Sequence, residues 1–299
     1  MVKMEDLFVA PQNFGGLVGA EAALETAQIV ILPVPYEQTT SYRGGTREGP
    51  AAIIEASRNM ELYDEELAYE VYRHGIYTAP GLAPLTAGPA QMLERVYETV
   101  RRFLAQEKFV VMLGGEHSLS YGMVKALREY YPALSVLQLD AHADMRDEYL
   151  GSAYNHACVM RRISQLVPCV QVGIRSLSRE EAEYLPQAQS RVFFRQDLRQ
   201  GEGVVARILE GLSEQVFLTI DLDVFDPAYV PAVGTPEPDG LDWHEVLSII
   251  RQVATHKQIV GFDVVELSPL PGMVASDFLA AKLVYKVLGY CFYSPTTPE

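Results

Sequence analysis

Residues Leu134 to Asp147 read LSVLQLDAHADMRD. This stretch is the main evidence for both the fold and the chemistry that we predict. The apolar run from Leu134 to Leu139 is typical of a buried strand. Asp140, His142 and Asp144 follow at every second position, and alternate side chains of an extended segment project to one side. Two carboxylates and an imidazole that converge are costly to desolvate unless a cation lies among them. Alone, such a motif is more often a solvated loop, but here the pattern recurs.

Two further apolar runs end in polar residues of the same kinds. The run from Phe109 to Leu113 leads through two glycines to His117. The run from Val216 to Ile220 leads directly to Asp221 and Asp223. Ligands of open parallel sheets bind beyond the carboxyl ends of the strands. We therefore expect the three groups of side chains to meet at one edge of a sheet.

Strand-like and helix-like segments alternate along the whole chain. Apolar residues recur at helical spacing between Gly88 and Glu107, and capping-box spacing opens two later helices after Ser178 and Asp242. This repeated order predicts an α/β fold in which helices cover both faces of a parallel sheet. No linker or internal repeat divides the chain. We therefore predict one domain over residues 1–299, with an N-terminal arm at 1–27.

The amino-acid composition of the chain limits the kinds of partner that it could bind. The 299 residues carry a formal net charge of −15, which argues against nucleic acid or an anionic membrane and suits a cationic substrate or metal ions. The three cysteines (Cys158, Cys169 and Cys291) form no CxxC pair, so neither a disulfide framework nor a zinc–thiolate site is expected. The chain begins without a signal-like apolar core and contains no bilayer-length apolar run. We expect a cytoplasmic protein.

The number of ligand-type residues indicates two metal ions. Six of them follow the three strands: His117, Asp140, His142, Asp144, Asp221 and Asp223. One divalent ion would not use so many, whereas two ions with bridging carboxylates would. Two ions about 3.5–4 Å apart can share a water molecule and lower its pKa towards neutrality. Oxygen-rich ligation with some imidazole and no thiolate favours Mn²⁺ ahead of Zn²⁺.

The motifs together resemble those of the ureohydrolases, the family of arginases and agmatinases. They are LGGEHS, DAHAD, YNHA, DLDVFDP and VVELSP, with VPYEQTTSYRGGTREGP near the start of the chain and VGTPEPDGL after the second aspartate pair, and they cover nearly the whole chain. The resemblance implies a three-layer α/β/α fold with a mainly parallel sheet of about eight strands, and two Mn²⁺ ions per chain. It also implies a homo-oligomer, a trimer or a hexamer. One departure is Glu116, where many arginases have Asp.

The resemblance also implies a role for each site residue. One metal would be held by His117, Asp140, Asp144 and Asp221, and the other by His142, Asp140, Asp221 and Asp223. Asp140 and Asp221 would then bridge, and Asp144 would belong to the catalytic group as well. Activated water would attack the guanidinium carbon, and collapse of the intermediate would release urea and an amine. His156 matches the proton-transfer histidine, and Glu266 matches the acid that pairs with the guanidinium.

The loop MRDEYLGSAYN bears on the choice of guanidino substrate. Asp147 and Glu148 lie in it, and acids would repel an α-carboxylate and attract an amine, although Arg146 weakens the contrast. We therefore expect both acids to contact the substrate and agmatine to be hydrolysed to putrescine and urea. N1-aminopropylagmatine, guanidinobutyrate and arginine remain open as alternatives.

Two other functional classes compete with this interpretation. A metal-dependent deacetylase would have a single metal and a pair of adjacent histidines, and the sequence contains no HH pair. A non-catalytic metal-binding homologue would be expected to lack a ligand or the proton-transfer histidine. The full set is present here, which favours the enzyme.

Overall fold

Eight strands form one sheet in the computed structural model, which describes residues 11–199 and 203–294. The strands are β1 (Ile29–Val34), β2 (Ile76–Thr78), β3 (Phe109–Gly114), β4 (Leu134–Leu139), β5 (Cys169–Ile174), β6 (Ser190–Phe194), β7 (Gln215–Asp221) and β8 (Gln258–Val265). Their order is β2-β1-β3-β8-β7-β4-β5-β6, and every neighbouring pair is parallel. The predicted fold class and strand number are confirmed.

Helices cover both faces of this sheet. They are α1 (Gly49–Ser57), α2 (Pro89–Leu104), α3 (Ser120–Tyr130), α4 (Val159–Ser164), α5 (Arg179–Tyr184), α6 (Arg195–Arg199), α7 (Val204–Gly211), α8 (Trp243–His256) and α9 (Ala275–Phe292). The two predicted capping boxes form, with Ser178 and Asp242 accepting hydrogen bonds from the backbone of the third helical residue. Each cap satisfies backbone donors that would otherwise be unpaired at a helix start.

The hydrophobic core has two parts, one on each face of the sheet. Along β1, Ile29 and Ile31 belong to the part of the core that includes α1, α8 and α9, whereas Val30 and Leu32 belong to the part that includes α2 and α3. Successive side chains of a strand point to opposite faces, so a strand that is buried on both must be apolar at nearly every position. This explains the continuous apolar runs of the sequence and gives the three-layer α/β/α arrangement.

The edge strand β2 was not predicted, and the predicted N-terminal arm is described only in part. The short edge strand β2 pairs with β1 through only three residues, which is too few to leave a period in the sequence. The predicted N-terminal arm at 1–27 is described from residue 11 onwards and contains two 3-10 turns, Phe14–Gly16 and Gly19–Ala22. Its residues 1–10 lie outside the described residues. No helix among 11–199 and 203–294 is long and apolar enough to cross a membrane.

The four central strands position the candidate site. β3, β8, β7 and β4 are neighbours in that order, and all four carboxyl ends lie at one edge because the strands are parallel. His117 follows β3, the DAHAD residues follow β4, Asp221 ends β7 and Glu266 follows β8. The fold therefore brings together residues that are up to 149 positions apart in sequence.

Candidate active site

His117 lies at the centre of a first group of buried carboxylates. Its Nδ1 is 3.1 Å from an oxygen of Asp140, 3.2 Å from one of Asp144 and 3.4 Å from one of Asp221. This buried nitrogen makes no hydrogen bond of acceptable geometry. A single ring proton could not serve three carboxylates in any case. The arrangement instead fits ligands that face a shared cation.

His142 forms a second group beside the first. Its Nδ1 is 2.8 Å from Asp223 and 3.7 Å from Asp140. Two sets of ligand atoms, each within 4.8 Å of one another, are suited to hold an ion: His117 with Asp140 and Asp221, and Asp140 with His142 and Asp223. Asp140 belongs to both sets. The structure thus brings five of the six sequence-predicted ligands into two adjacent groups that share a carboxylate, and the sixth, Asp144, lies 3.2 Å from His117 of the first group.

Charge repulsion within this centre also indicates cations. Burial raises the pKa of Asp140 to about 7, and the neighbouring Asp223 and Asp144 add to the effect. Burial likewise raises the pKa of Asp221 well above its usual value. Burial lowers the pKa of His142, but Asp223, Asp140 and Asp144 together outweigh it and bring this pKa to about 11. Without a cation, the centre can be neutralised only by binding protons.

Contacts outside the ligands hold them in place. Gln138 donates a hydrogen bond to Asp140 over 2.6 Å, and Gln171 donates to Gln138 over 2.5 Å. The Nε2 of His117, on the ring edge away from the carboxylates, is 3.0 Å from the hydroxyl of Thr219. Such partners orient metal-binding side chains. These partners were not predicted, although a Gln or Thr inside an otherwise apolar strand indicates a buried polar contact.

Glu266 lies beside the ligand groups and lines the cavity that opens over them. Its backbone N–H donates to Gly115 over 2.8 Å, and its carboxylate accepts the backbone N–H of His117 over 2.7 Å. Gly115 is required there, because a Cβ would lie 1.9 Å from the carbonyl oxygen of Tyr36. Burial raises the pKa of Glu266 to about 8. A bound guanidinium would reverse that shift, since an opposite charge favours the ionised form.

His156 begins a 3-10 turn (His156–Cys158) at the same cavity. Its backbone N–H donates to the hydroxyl of Thr39 over 3.0 Å, and its Nδ1 lies 3.2 Å from that oxygen. Burial lowers the pKa of His156 despite the nearby Asp144 and Glu116. Burial thus favours the neutral imidazole, which is the form that can accept a proton.

A cavity of about 220 Å³ opens over these residues. Six predicted site residues contribute to its lining: His142, Asp144, His156, Asp221, Asp223 and Glu266. Tyr42, Arg146, Tyr149 and Glu181 line other parts of its wall. Arg146 lies over the ring of Tyr149 at 4.8 Å and 3.9 Å from Glu181, so its charge has local partners.

The structure does not bring Asp147 and Glu148 to the cavity. Both are exposed and neither contributes to its lining. Asp147 accepts a hydrogen bond from Arg162 and lies 3.3 Å from Arg161, and Arg162 in particular lowers its pKa. The expected contact of these two acids with the substrate therefore has no support in the geometry. The acid that reaches this part of the wall is Glu181, which is buried and accepts the backbone N–H groups of Met145 and Ser178.

Comparison with known proteins agrees with this geometry. The profile of the family described as "Arginase family" matches residues 27–289. The chain is 44% identical over 273 residues to the N(1)-aminopropylagmatine ureohydrolase of Synechocystis sp., covering 88% of this chain and 89% of that protein. It is 35% identical to the agmatinase of Pyrococcus horikoshii, covering 89% and 93%. The solved agmatine ureohydrolase of Thermoplasma volcanium superposes with a TM-score of 0.85 at 32% identity, covering 96% of each chain.

Proposed function

The chain belongs to the arginase family and is a ureohydrolase, a hydrolase of guanidino C–N bonds, and from this premise we propose that it releases urea from a guanidino amine that carries no carboxylate. We propose N1-aminopropylagmatine as the substrate and agmatine as the second candidate. The observation that carries the proposal is the pairing of two adjacent ligand groups, which share Asp140, with Glu266, a buried carboxylate that lines the same cavity.

The residues of the centre fit two divalent ions, for which we propose Mn²⁺. Its donors are four carboxylates and two imidazoles, and a thiolate is not among them, which suits Mn²⁺ better than softer ions. His117, Asp140, Asp144 and Asp221 would hold one ion, and His142, Asp140, Asp221 and Asp223 the other. When bound, the pair supplies a water-derived nucleophile near neutral pH.

The protein residues would divide the remaining work. Glu266 would accept two N–H bonds from the planar guanidinium and so fix the orientation of its carbon. Water adds to that carbon, the bond from carbon to the substituted nitrogen breaks, and urea leaves. The departing amine must gain a proton, and His156 would deliver it after taking one from the attacking water. His156 is suited to both steps because burial favours its neutral form and it lines the cavity.

The order of the two candidate substrates follows from the relatives. Those that share 37–44% of their residues with this chain are named N(1)-aminopropylagmatine ureohydrolases, and those named agmatinases share 34–35%. The cavity wall that the amine chain would meet carries two tyrosines and a buried acid, Glu181. This changes the order that the sequence suggested, in which agmatine came first.

The test is a urea-release assay with purified protein and MnCl₂. The panel holds N1-aminopropylagmatine, agmatine, arginine and guanidinobutyrate, and the amine product is identified by mass. We expect kcat/KM for N1-aminopropylagmatine to exceed that for arginine at least about tenfold, a difference of about 1.4 kcal/mol in transition-state binding. Urea from none of the four would refute the proposed function. Arginine as the best substrate would refute the substrate class alone.

Two further properties are proposed, and only the second of them follows from the family resemblance. We expect a cytoplasmic protein and a homo-oligomer, a trimer or a hexamer. Light scattering on the eluting peak of a size-exclusion column would measure the mass of the assembly, and one chain of 33.2 kDa as the only species would contradict the oligomer.

A further inference from the structure

Glu116 is the residue at which the sequence departs from many arginases, and its side chain does not face the metal ligands. It is fully buried. One carboxylate oxygen accepts the backbone N–H groups of Gln38 and Thr39, each over 2.6 Å. The other accepts the hydroxyls of Thr39, over 2.8 Å, and Ser118, over 2.5 Å. Four donors match the four acceptor positions of an ionised carboxylate.

This arrangement fixes the direction of the hydrogen bond between Thr39 and His156. A threonine hydroxyl has one proton, and that of Thr39 is given to Glu116. Towards His156 the same oxygen can therefore act only as an acceptor. It accepts the backbone N–H of His156 at 3.0 Å and faces Nδ1 at 3.2 Å. An acceptor at that distance requires a proton on Nδ1.

We propose that Thr39, held by Glu116, is a positioning residue that fixes His156 as the tautomer protonated on Nδ1. In a neutral imidazole one nitrogen carries the proton and the other is free. Nε2 is then the nitrogen that can take a proton from water and give it to the leaving amine. The inference deepens the proposed function, because it rests on proton transfer by His156.

The inference explains the length of the Glu116 side chain. Aspartate is one methylene shorter and would withdraw the carboxylate from the loop that carries Gln38 and Thr39. Glutamate spans that distance and accepts from both the backbone and the hydroxyl of Thr39. The residue before the metal ligand His117 therefore serves the proton-transfer histidine.

The first test removes the hydroxyl of Thr39. Thr39→Val keeps the volume, and we expect kcat on the best guanidino substrate to fall about 10–100-fold while KM changes less than about threefold. Thr39→Ser keeps the hydroxyl and should retain kcat within about threefold of the wild type. Ser118→Ala removes the other hydroxyl on Glu116 without contacting His156, so its kcat should stay above that of Thr39→Val. Equal kcat in Thr39→Val and the wild type would overturn the inference, and so would a Thr39→Ser variant as impaired as Thr39→Val.

The second test reverses the direction of the hydrogen bond between the Thr39 hydroxyl and Nδ1 of His156. In Glu116→Gln the amide oxygen is taken by the two backbone N–H groups, so the amide NH₂ must donate to Thr39. The Thr39 hydroxyl can then donate to Nδ1, which favours the tautomer protonated on Nε2. We expect kcat to fall as in Thr39→Val, with the metal content unchanged. The double variant Glu116→Gln/Thr39→Val should have a kcat little lower than that of either single variant, because both substitutions act through the same contact with His156.

A spectroscopic readout separates this inference from the proposed function. The chain has six histidines, so ¹⁵N NMR of histidine-labelled protein, loaded with Mg²⁺ to avoid paramagnetic broadening, can identify His156 by its absence in His156→Asn. We expect the Nδ1-protonated form in the wild type and a shift towards the Nε2-protonated form in Glu116→Gln. An Nε2-protonated His156 in the wild type would overturn the inference even if urea is released. An Nδ1-protonated His156 without any urea release would leave it standing and refute the proposed function.

Discussion

Replacing Asp140 with Asn should stabilise the metal-free protein and abolish its response to metal. Asp140 is buried among other acids, and its pKa of about 7 lies some three units above the usual value of 3.8. Between about pH 4 and pH 7, Asp140 therefore holds a proton in the folded protein that it has already released in the unfolded chain. Because this pKa is raised, stability falls as the pH rises from about 4 to about 7. Three units correspond to about 4 kcal/mol at pH 8.

The loss of one hydrogen-bond acceptor in Asp140→Asn offsets part of this gain in the free energy of unfolding. The two oxygens of Asp140 accept hydrogen bonds from Gln138 and from the backbone of His142, over 2.6 and 2.5 Å. Asn has one oxygen, so one of these donors would face an NH₂ group at a cost of about 1–3 kcal/mol. The net gain is then about 1–3 kcal/mol. With an unfolding entropy of about 0.6 kcal/mol/K for a chain of this size, the variant should melt about 2–5 °C higher at pH 8.

The assay is thermal unfolding of chelator-treated protein at pH 6 and pH 8, with and without MnCl₂. The wild type should melt lower at pH 8 than at pH 6, and His142 acts in the same direction, because its raised pKa loses its contribution as the pH rises towards about 11. Mn²⁺ should raise the Tm of the wild type more at pH 8, where fewer protons compete, and should hardly move Asp140→Asn.

Asp147→Asn is the matched control, because it removes an exposed acid outside the centre and should keep the full response to Mn²⁺. A metal-free Asp140→Asn protein that melts below the wild type at pH 8 would refute the repulsion argument. An undiminished response of that variant to Mn²⁺ would show that Asp140 is not the shared ligand.

Three other predictions concern the ions and the reaction. Elemental analysis of the fully active protein should give two Mn²⁺ per chain, and full activity with one tightly bound ion would contradict the two-ion centre. His156→Asn should lower kcat by roughly 10²–10⁴-fold with the metal content unchanged, and loss of metal together with activity would assign His156 to the ligands instead. Glu266→Gln should lower kcat/KM at least about tenfold, measured by urea release, because a neutral amide no longer pairs with the guanidinium. An unchanged kcat/KM would exclude that pairing.

The sequence predicted the fold well because each central strand is buried on both faces. β3, β4 and β7 appear in the sequence as mainly apolar runs, and polar site residues follow each run directly or after two glycines. A parallel sheet places all carboxyl ends at one edge, so the meeting of His117, Asp140 and Asp221 could be inferred without knowing the strand order. The order itself could not be inferred from hydrophobic patterns, because buried strands of similar composition can exchange neighbours.

The substrate contacts were harder to predict, for a physical reason. Asp147 and Glu148 are close in sequence to the centre, but sequence proximity does not determine which charges a side chain meets. Asp147 is paired with Arg161 and Arg162, which α4 brings back across the loop. Thr39, in contrast, is distant from His156 in sequence but close to it in the fold. Their contact spans 117 positions, and no local sequence pattern predicts it.

Two site residues have a backbone that local sequence rules would not assign to them. Asp144 has a φ of 52° and Glu266 a φ of 65°, and left-handed conformations of this kind cost a non-glycine residue about 1–3 kcal/mol. The surrounding fold holds both. The carbonyl oxygen of Asp144 accepts the N–H groups of Met160 and Arg161 in the first turn of α4, each over 3.1 Å. Glu266 is fixed at both its backbone and its carboxylate, through Gly115 and His117.

These contacts connect the strain to the function. A carboxylate on a relaxed strand would follow the alternation of its neighbours, whereas a left-handed residue turns its side chain away from that pattern. Asp144 thereby reaches the nitrogen of His117, and Glu266 reaches the cavity beside the metal centre. Glycine at either position would relieve the strain but would remove the carboxylate. The packing of α4 and of the turn after β3 therefore stabilises two conformations that only the chemistry of the site requires.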